Sequence, residues 1–412
     1  MTHGTGAPTR RLLIRDLAQV ATPPAGTGAP LRGETLRRVD VVDDAYVLCE
    51  DGRIAGVGRM RDLQALGVDV EEVDGRGLSA IPGLVDCHTH ACFAGDRVDE
   101  FALRARGATY QELHAAGGGI LSTVRATRAA GAAALDDAVA RHAASMLGHG
   151  TTTFESKSGY GLDRETELAS LQAIRRAGGI PTWLGAHAVP PEHEDAESYV
   201  EFALAEVLPA ARDLAEAADV FVERGAFDVA TARRYLAACK DEGLAPRLHG
   251  DQFTEAGAIP LAIELGAQSV DHLEATGPEG VRALAGSAVA GVLLPASALF
   301  LDRPQAPARK LLDAGAIVAL ASDFNPGSSF CESLPLVASL AATQMGMALE
   351  EILGALTVNA AHVLGRADRI GHLAPGFDAD VVLLDAPDWR YLAYHLGGRV
   401  VRHVVRKGEL VL

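Results

Sequence analysis

Two histidines one residue apart, His88 and His90, follow an apolar run in the N-terminal part of the chain. In an extended strand, side chains at positions i and i+2 lie on the same face, so both imidazoles can reach one cation from a single rigid element. A chain with 14 histidines can also contain such a pair by chance. The pair therefore predicts a metal site only if further ligands end other strands.

Polar side chains do recur at the ends of later apolar runs. His187, His249 and His272 end three of these runs, and Asp323 ends the last one. In a barrel of parallel strands the carboxyl ends of the strands form the active face, so these side chains are expected to converge there. One histidine at the end of a strand is more often structural. Five histidines and an aspartate on one rim are not well explained in that way.

His88, His90, His249 and Asp323 together supply three neutral imidazoles and one carboxylate. This set suits zinc or iron and leaves room for a water molecule, as a catalytic site requires. A bound divalent cation lowers the pKa of water toward about 7 and polarises a carbonyl, which predicts metal-assisted hydrolysis. Cys87 adjoins His88 but faces away from it by strand alternation, and we expect it in barrel packing.

The elements that must position these residues alternate between short apolar runs and longer helical patterns, as is typical of a parallel α/β fold. Eight such runs are present, and eight strands close a (β/α)8 TIM barrel. Segments 165–177, 230–242 and 256–265 have apolar residues every three to four positions and are expected among the outer helices. The predicted strands are residues 78–90, 151–156, 181–187, 219–223, 246–249, 269–272, 288–295 and 317–323.

Both ends of the chain are rich in strand-like pieces. These lie at residues 11–14, 45–50 and 54–57, with a turn at Asp51-Gly52, and again at residues 380–384 and 399–405. The simplest arrangement pairs the two ends into a small β-sandwich beside the barrel. The predicted domains are residues 1–81 and 366–412, which share the sandwich, and residues 82–365, which form the metal-dependent barrel.

Composition narrows the classes of partner. With 48% hydrophobic and 22% charged residues, the chain of 412 residues is typical of a globular enzyme. A net charge of -17 opposes binding of nucleic acid. The longest near-apolar run is shorter than the roughly 18 residues of a membrane helix, and the N-terminus has no apolar region of a signal peptide. Five scattered cysteines argue against a disulfide framework. We expect a cytoplasmic protein with a small-molecule substrate and no nucleic-acid or membrane partner.

At these motifs the chain resembles the amidohydrolase superfamily, over nearly its whole length. The resemblance rests on residues 82–90, on His249, His272 and Asp323, and on the segment 373–380. It implies a metal-dependent hydrolase that is a homodimer. Related enzymes that bridge two metals with a lysine carry it at the end of strand four, where this chain has Glu223. We therefore expect one Zn²⁺ or Fe²⁺/Fe³⁺ ion per subunit.

Within that superfamily, residues 155–162, 185–190 and 322–328 resemble enzymes that open an imidazolone ring. The resemblance implies hydrolysis of 4-imidazolone-5-propanoate to N-formimidoyl-L-glutamate, the third step of histidine degradation. Arg97 would hold the propionate carboxylate through two parallel charge-assisted hydrogen bonds. The resemblance implies substrate-binding roles for Arg97, Tyr160, His187, Asn325, Gly327 and Ser328.

The expected mechanism adds general acid–base catalysis to metal activation. Water activated by the metal attacks the ring carbonyl, Asp323 carries its proton to the departing ring nitrogen, and His272 polarises the carbonyl or orients the water. Gln252 replaces a glutamate of some relatives, and its amide can bind or orient but cannot act as a base. Lys157 is expected to order the substrate loop.

The loop at residues 96–122 contains Gly107 and three consecutive glycines at 117–119. Because glycine tolerates positive φ, this segment is either a mobile lid or a fixed loop with flexible positions.

Two other functions stay open. One is another mononuclear amidohydrolase, such as a cyclic amidine or nucleobase deaminase, although such deaminases use a carboxylate where this chain has Gln252. The other is a non-enzymatic scaffold protein of the same fold. Loss of the metal ligands would indicate such a protein. All four ligands are present, which disfavours the scaffold.

Overall fold

The computed structural model describes residues 10–26, 28–66, 70–107 and 118–412, and two sheets organise them. One is a parallel sheet of eight strands that forms a barrel, and the other is a mixed sheet that contains both chain ends. The predicted barrel and the predicted pairing of the chain ends are confirmed. The strands are β1 Arg11–Thr22, β2 Asp40–Glu50, β3 Arg53–Arg59, β4 Glu71–Asp74, β5 Ser79–Pro82, β6 Leu84–Asp86, β7 Thr151–Lys157, β8 Ile180–Ala186, β9 Ala217–Val222, β10 Ala245–Gly250, β11 Ser269–His272, β12 Ala290–Leu293, β13 Ile317–Leu320, β14 Val381–Leu384, β15 Val401–Arg406 and β16 Glu409–Leu410.

The mixed sheet has the order β16-β15-β14-β5-β1-β2-β3, with β4 paired to β1. The turn between β2 and β3 is the predicted one, with φ of 48° at Asp51 and 80° at Gly52, as a two-residue hairpin turn requires. Ala379 N donates to Gly52 O at 2.9 Å and Ile54 N donates to Phe377 O at 2.8 Å, which joins this hairpin to the segment that precedes β14. The predicted sandwich thus takes the form of one curved sheet around a shared apolar cluster.

The barrel strands follow one another from β6 to β13 in chain order, each parallel to the next. Alternation along each strand separates two environments. In β9, Val220 and Val222 pack in the large apolar cluster shared with the outer helices, whereas Asp219 faces the interior beside His249. Because of this alternation, polar side chains from several strands point into the barrel interior and lie close together.

The predicted first strand, residues 78–90, is wrong in extent because the chain changes sheets at Gly83. Residues before Gly83 form β5 of the mixed sheet, and those after it form β6 of the barrel. A Cβ at this position would lie 2.2 Å from Thr152 Oγ1 and 2.9 Å from Asp380 Cβ. The chain can therefore pass from the mixed sheet to the barrel only with a residue that has no side chain. The continuous apolar run in the sequence does not reveal this change of sheet.

We expect Gly83→Ala to lower the free energy of unfolding by about 1–3 kcal/mol, because the added methyl group overpacks the junction between barrel and sheet. Urea denaturation of the variant and the wild type measures the difference. Gly148→Ala is the matched control, since a Cβ there meets nothing within 4 Å. Equal midpoints for the two variants would contradict the steric reason.

The predicted outer helices are confirmed at Arg164–Arg176, Val229–Asp241 and Ala258–Leu265. Asp163 and Asp228 cap two of them by accepting from Thr166 N and Thr231 N. The α-helices of the described residues are α1 Val98–Ala105, α2 Ile120–Gly148, α3 Arg164–Arg176, α4 Ala196–Phe202, α5 Leu208–Ala211, α6 Val229–Asp241, α7 Ala258–Leu265, α8 Pro278–Ala285, α9 Pro295–Phe300, α10 Ala308–Ala314, α11 Leu334–Gln344, α12 Leu349–Gly354, α13 Ala360–Val363 and α14 Tyr391–Tyr394. Short 3₁₀ turns lie at Gly33–Thr35 and Met60–Asp62, and π-helical turns at Ala203–Val207 and Ala355–Asn359.

Within the four described ranges, none of the helices combines the length and the apolar character needed to cross a bilayer. All five cysteines lie in these ranges and are free thiols. Cys87 is buried in one apolar cluster with Val292 of β12 and Ala319 of β13, as its expected role in barrel packing requires.

Candidate active site and metal centre

The junction between the first and last barrel strands lies at the predicted metal ligands. Asp323 N donates to His88 O at 3.0 Å, and His90 N donates to Phe324 O at 2.8 Å. Thr89 and Phe324 form a parallel bridge between these bonds. The backbone contacts that close the barrel therefore also fix His88, His90 and Asp323 relative to one another.

The strand ends differ slightly from the prediction. β6 ends at Asp86 and β13 at Leu320, so His88, His90 and Asp323 follow their strands and do not end them. His187 likewise follows β8 directly. His249 lies within β10, and His272 is the last residue of β11 as predicted.

The four predicted ligands are buried, and several of their donor atoms lie close together. Asp323 Oδ1 lies 3.5 Å from His88 Nε2 and 3.5 Å from His90 Nε2, and His90 Nε2 lies 3.3 Å from His249 Nε2. In a tetrahedral site with metal–ligand bonds of about 2.0–2.1 Å, ligand atoms are about 3.3–3.4 Å apart. His88 Nε2 and Asp323 Oδ2 are buried without a hydrogen-bond partner among the described residues. The donor atoms of His88, His90 and Asp323 lie within 4.8 Å of one another and could hold one metal ion, whereas His249 belongs to a second such group, with His88 and His272.

Two buried carboxylates contact His88 and His249 at the ring nitrogen Nδ1, opposite the Nε2 atom that faces the other candidate ligands. Asp271 Oδ2 lies 2.5 Å from His88 Nδ1, and Asp219 Oδ1 lies 3.1 Å from His249 Nδ1. A proton on each Nδ1 leaves the Nε2 lone pair free for a metal, the arrangement that carboxylate–histidine–metal triads use. Burial lowers the pKa of His88 and of His90, which keeps both in the neutral form that can bind a cation.

A cavity of about 120 Å³ opens beside these donor atoms. All the predicted catalytic and substrate-binding residues line it except Gly327. Ile120 and Phe221 line it as well, and the sequence reading did not anticipate them. The full lining is His90, Arg97, Ile120, Tyr160, His187, Phe221, His249, Gln252, His272, Asp323, Asn325 and Ser328.

Arg97 reaches the cavity through a fixed guanidinium. Its Nε and Nη2 donate to the two carboxylate oxygens of Glu100, at 2.9 and 2.6 Å. Within the described ranges, Nη1 of Arg97 donates no hydrogen bond, and the edge formed by Nη1 and Nη2 has the geometry that suits a carboxylate. A Cβ at position 327 would lie 1.9 Å from Arg97 Nη1, so Gly327 acts by letting the guanidinium approach its backbone.

His187 and Tyr160 form one wall of the cavity. His187 Nδ1 lies 3.0 Å from Gly159 O, so Nδ1 donates there and Nε2 is left as an acceptor. Burial lowers the pKa of His187 to about 3, which keeps the ring neutral. Burial also raises the pKa of the Tyr160 phenol, which stays a donor. This wall offers one acceptor and one donor to a polar ring.

A buried carboxylate that the sequence reading missed shapes the loop of Tyr160. Glu167 Oε1 accepts from Gly159 N at 3.0 Å, Gly161 N at 2.8 Å and Leu162 N at 3.0 Å. The loop therefore folds around Glu167, which begins the buried face of α3.

Asn325 and Ser328 belong to a tight turn after Asp323. Asn325 Oδ1 accepts from Gly327 N and Ser328 N, both at 2.8 Å, and Asn325 Nδ2 donates to Asp323 O at 2.7 Å. The Asn325 amide thus binds its own loop, and it lines the cavity while ordering the turn that presents Ser328 and Gly327.

His272 and Asp323 occupy strained backbone positions. Their φ angles are 85° and 52°, and Leu273 has 72°, a region that non-glycine residues adopt at a cost. His272 Nδ1 lies 3.5 Å from Glu274 Oε1. Burial alone would lower the pKa of His272, but Glu274 and other carboxylates outweigh it and raise the pKa. Gln252 also lines the cavity, as a neutral amide.

The expectation that Lys157 orders the substrate loop is wrong. Lys157 is the last residue of β7, and its side chain alternates with that of Ser156 to face the barrel interior, as Glu155 does. Its Nζ lies 2.8 Å from Glu155 Oε1 and 2.9 Å from Asp219 Oδ2.

Sequence reading also missed the carboxylates behind the site, namely Glu100, Asp219 and Asp271. The signal for the last two was present, because each is a charged residue inside an apolar strand and must therefore face a polar interior. Of the loop at residues 96–122, residues 108–117 lie outside the described residues, and a mobile lid stays a prediction.

Comparison with known proteins identifies the protein family to which the chain belongs. The sequence profile of the amidohydrolase family matches residues 79–411. The fold resembles a triazine hydrolase variant (TM-score 0.70, 20% identity, 98% of this chain and 95% of that chain) and Escherichia coli guanine deaminase (TM-score 0.70, 15% identity, 98% and 99%). At such identities the likeness concerns the fold alone. The chain belongs to the amidohydrolase family.

Closer relatives refine this assignment. A protein of Rubrobacter xylanophilus is 61% identical over 97% of this chain and 98% of its own length, and one of Geobacillus kaustophilus is 42% identical over 98% of both. Both are named imidazolonepropionase. Within the amidohydrolases, the chain is a member of the imidazolonepropionases.

Proposed function

We propose that this chain hydrolyses 4-imidazolone-5-propanoate to N-formimidoyl-L-glutamate in histidine degradation. The observation that carries the proposal is one cavity lined by the Arg97 guanidinium and by the candidate metal donors His90, His249 and Asp323. The carboxylate of the propionate side chain fits the free edge of Arg97. The imidazolone ring then lies toward His187, Tyr160 and the metal donors.

The cofactor we propose is one zinc or iron ion per subunit, Fe²⁺ or Fe³⁺ in the case of iron, held by His88, His90, His249 and Asp323. Imidazole and carboxylate donors accept both metals. When bound, the ion lowers the pKa of a water molecule and polarises the ring carbonyl.

The residues of the chain supply the remaining steps. Asp323 takes a proton from the attacking water as its oxygen bonds to the ring carbonyl carbon. The bond between that carbon and the ring nitrogen then breaks, and Asp323 returns the proton to this nitrogen. His272 donates a hydrogen bond to the carbonyl oxygen or orients the water, and Gln252 holds the ring through its amide. The water ends as the new carboxylate oxygen, so no further reactant is required.

Disappearance of the ultraviolet absorption of 4-imidazolone-5-propanoate tests this function, together with chromatographic detection of N-formimidoyl-L-glutamate. We expect turnover of this substrate and no release of ammonia from adenine, guanine or cytosine. Ammonia release from a nucleobase without ring opening of the imidazolone would favour the deaminase alternative.

We expect Glu100→Gln to raise KM about tenfold with kcat nearly unchanged, because a hydrogen bond between charged groups contributes about 1.5–3 kcal/mol and its weakening loosens Arg97. Steady-state rates with 4-imidazolone-5-propanoate measure the effect. The propionamide analogue, which lacks the carboxylate, should show no such change in KM.

Asp99→Asn is the control for this prediction, since Asp99 is the exposed neighbour of Glu100 on α1 and the charge change is the same. If Asp99→Asn raised KM as much as Glu100→Gln, the effect would come from the charge of the loop and not from the position of Arg97.

We also propose that the enzyme is a cytoplasmic homodimer with no nucleic-acid or membrane partner. The net charge of -17 supports the proposed absence of a nucleic-acid partner. Light scattering coupled to size exclusion tests the oligomeric state, for which the chain mass of 42.9 kDa gives the monomer reference.

A further inference from the structure

Among the described residues, a group of five charged side chains linked by ion pairs lies inside the barrel near the candidate metal donors. They are Glu155, Lys157, Asp219, Arg247 and Asp271, each exposed by 2% or less. Asp219 and Asp271 contact the proposed metal ligands His249 and His88, but neither of the two cations has a role in the proposed reaction. Burial of a charge is costly unless the charge is paired, so each cation needs a structural or functional reason.

Lys157 lies between the carboxylates that orient the histidines. Its Nζ is 2.9 Å from Asp219 Oδ2 and 3.9 Å from Asp271 Oδ2, and it donates to Glu155 Oε1 at 2.8 Å. Asp219 uses its other oxygen, Oδ1, for His249. Asp271 uses the same Oδ2 for His88. The Lys157 ammonium is thus linked to His249 through Asp219 and to His88 through Asp271.

Electrostatics explains why a cation is needed there. Asp219 and Asp271 carry like charges in a dry interior, where their repulsion is only weakly screened. A cation between them offsets this repulsion and keeps both carboxylates directed at their histidines. Burial alone would lower the pKa of Lys157, but Asp219, Glu155 and Asp271 outweigh it and raise the pKa, so the ammonium stays charged.

Arg247, the second buried cation, has different partners. Its Nη1 donates to Glu155 Oε1 at 3.2 Å, and its Nε and Nη2 donate to Gln268 Oε1 at 3.0 and 2.9 Å. Nη2 also donates to Val363 O at 3.0 Å. These contacts join β10 to Glu155 of β7, to the loop before β11 and to α13, and none of them is with Asp219 or Asp271.

We propose that Lys157 is a positioning residue that holds Asp219 and Asp271 in place behind His249 and His88 and thereby sets the affinity of the site for its metal. This inference rests on the proposed metal centre. It assigns Lys157 to the support of the ligands and not to substrate binding or to bridging of two metals.

Zinc affinity of the purified full-length protein, measured by competition with a chromogenic chelator, tests the proposal. We expect Lys157→Met to weaken zinc binding about 10- to 100-fold, the usual loss when support behind a ligand is removed. Arg247→Met deletes the other buried cation and is the matched control. Its zinc affinity should stay within about threefold of the wild type, even where its thermal midpoint falls as far as that of Lys157→Met.

Coupling to Asp219 gives a second readout. If Lys157 acts through Asp219, then Asp219→Asn should cost much less zinc affinity in the Lys157→Met background than in the wild type. Additive losses would overturn the proposal, as would an unchanged zinc affinity in Lys157→Met or equal losses in Lys157→Met and Arg247→Met.

A charge-compensated pair keeps the test decisive if Lys157→Met does not fold. Glu155→Gln combined with Lys157→Met removes one charge of each sign, and Glu155→Gln alone is its reference. The same 10- to 100-fold difference in zinc affinity is expected between these two proteins. A wild type that binds zinc but does not open the imidazolone ring would refute the proposed function while leaving the role of Lys157 intact.

Discussion

Replacement of Asp323 by asparagine is expected to lower kcat by about three orders of magnitude or more, because the amide cannot take the proton of the attacking water. The side chain keeps its size, and an amide oxygen can still face the metal, so the zinc or iron content should fall far less than the activity. Initial rates with 4-imidazolone-5-propanoate and elemental analysis of the same preparation measure both quantities.

Asp251→Asn is the matched control for this substitution. Asp251 is a buried aspartate at the same end of the barrel, but it accepts from Thr276 Oγ1 at 3.0 Å and does not line the cavity. We expect near-normal turnover in that variant. Near-normal turnover in Asp323→Asn would remove Asp323 from the proton transfer.

Replacement of His272 by glutamine is expected to lower kcat by about 10²- to 10³-fold while the metal stays bound. Its imidazole lines the cavity, and the strained backbone at residues 272 and 273 holds it there. A glutamine amide retains a donor but does not place it where the ring nitrogen lies. The kcat at saturating substrate, compared with the metal content, gives the result.

His372→Gln tests whether any buried histidine would produce the same loss. His372 is buried beside Pro23 O, at 3.2 Å from Nδ1, near the mixed sheet and away from the cavity. Its substitution should affect thermal stability more than kcat. Undiminished turnover in His272→Gln would exclude His272 from the chemistry.

The sequence was sufficient for the barrel and for the residues at its carboxyl end. Parallel strands bring their ends to one face, so His88, His249 and Asp323 could be expected to meet without knowledge of any contact. The strand β11 ends at His272 as predicted. The periodicity of the outer helices gave their positions to within about two residues.

The rest depends on contacts that no local pattern contains. Asp271 and His88 are 183 positions apart, and Arg247 and Glu155 are 92 apart. The division of the first predicted strand at Gly83 follows from the neighbours Thr152 and Asp380, which only the folded chain brings together. The apolar pattern predicts an end of β7 at Ser156, one residue too early, and this places Lys157 in the following loop although it is the last residue of the strand.

Titration of the metal-depleted protein with zinc or iron, with activity measured at each addition, tests the metal centre most directly. Activity should be lost on depletion, return in proportion to added metal and stop rising at one equivalent per chain. Full ring-opening activity in protein shown by elemental analysis to hold no transition metal would contradict a centre built from His88, His90, His249 and Asp323.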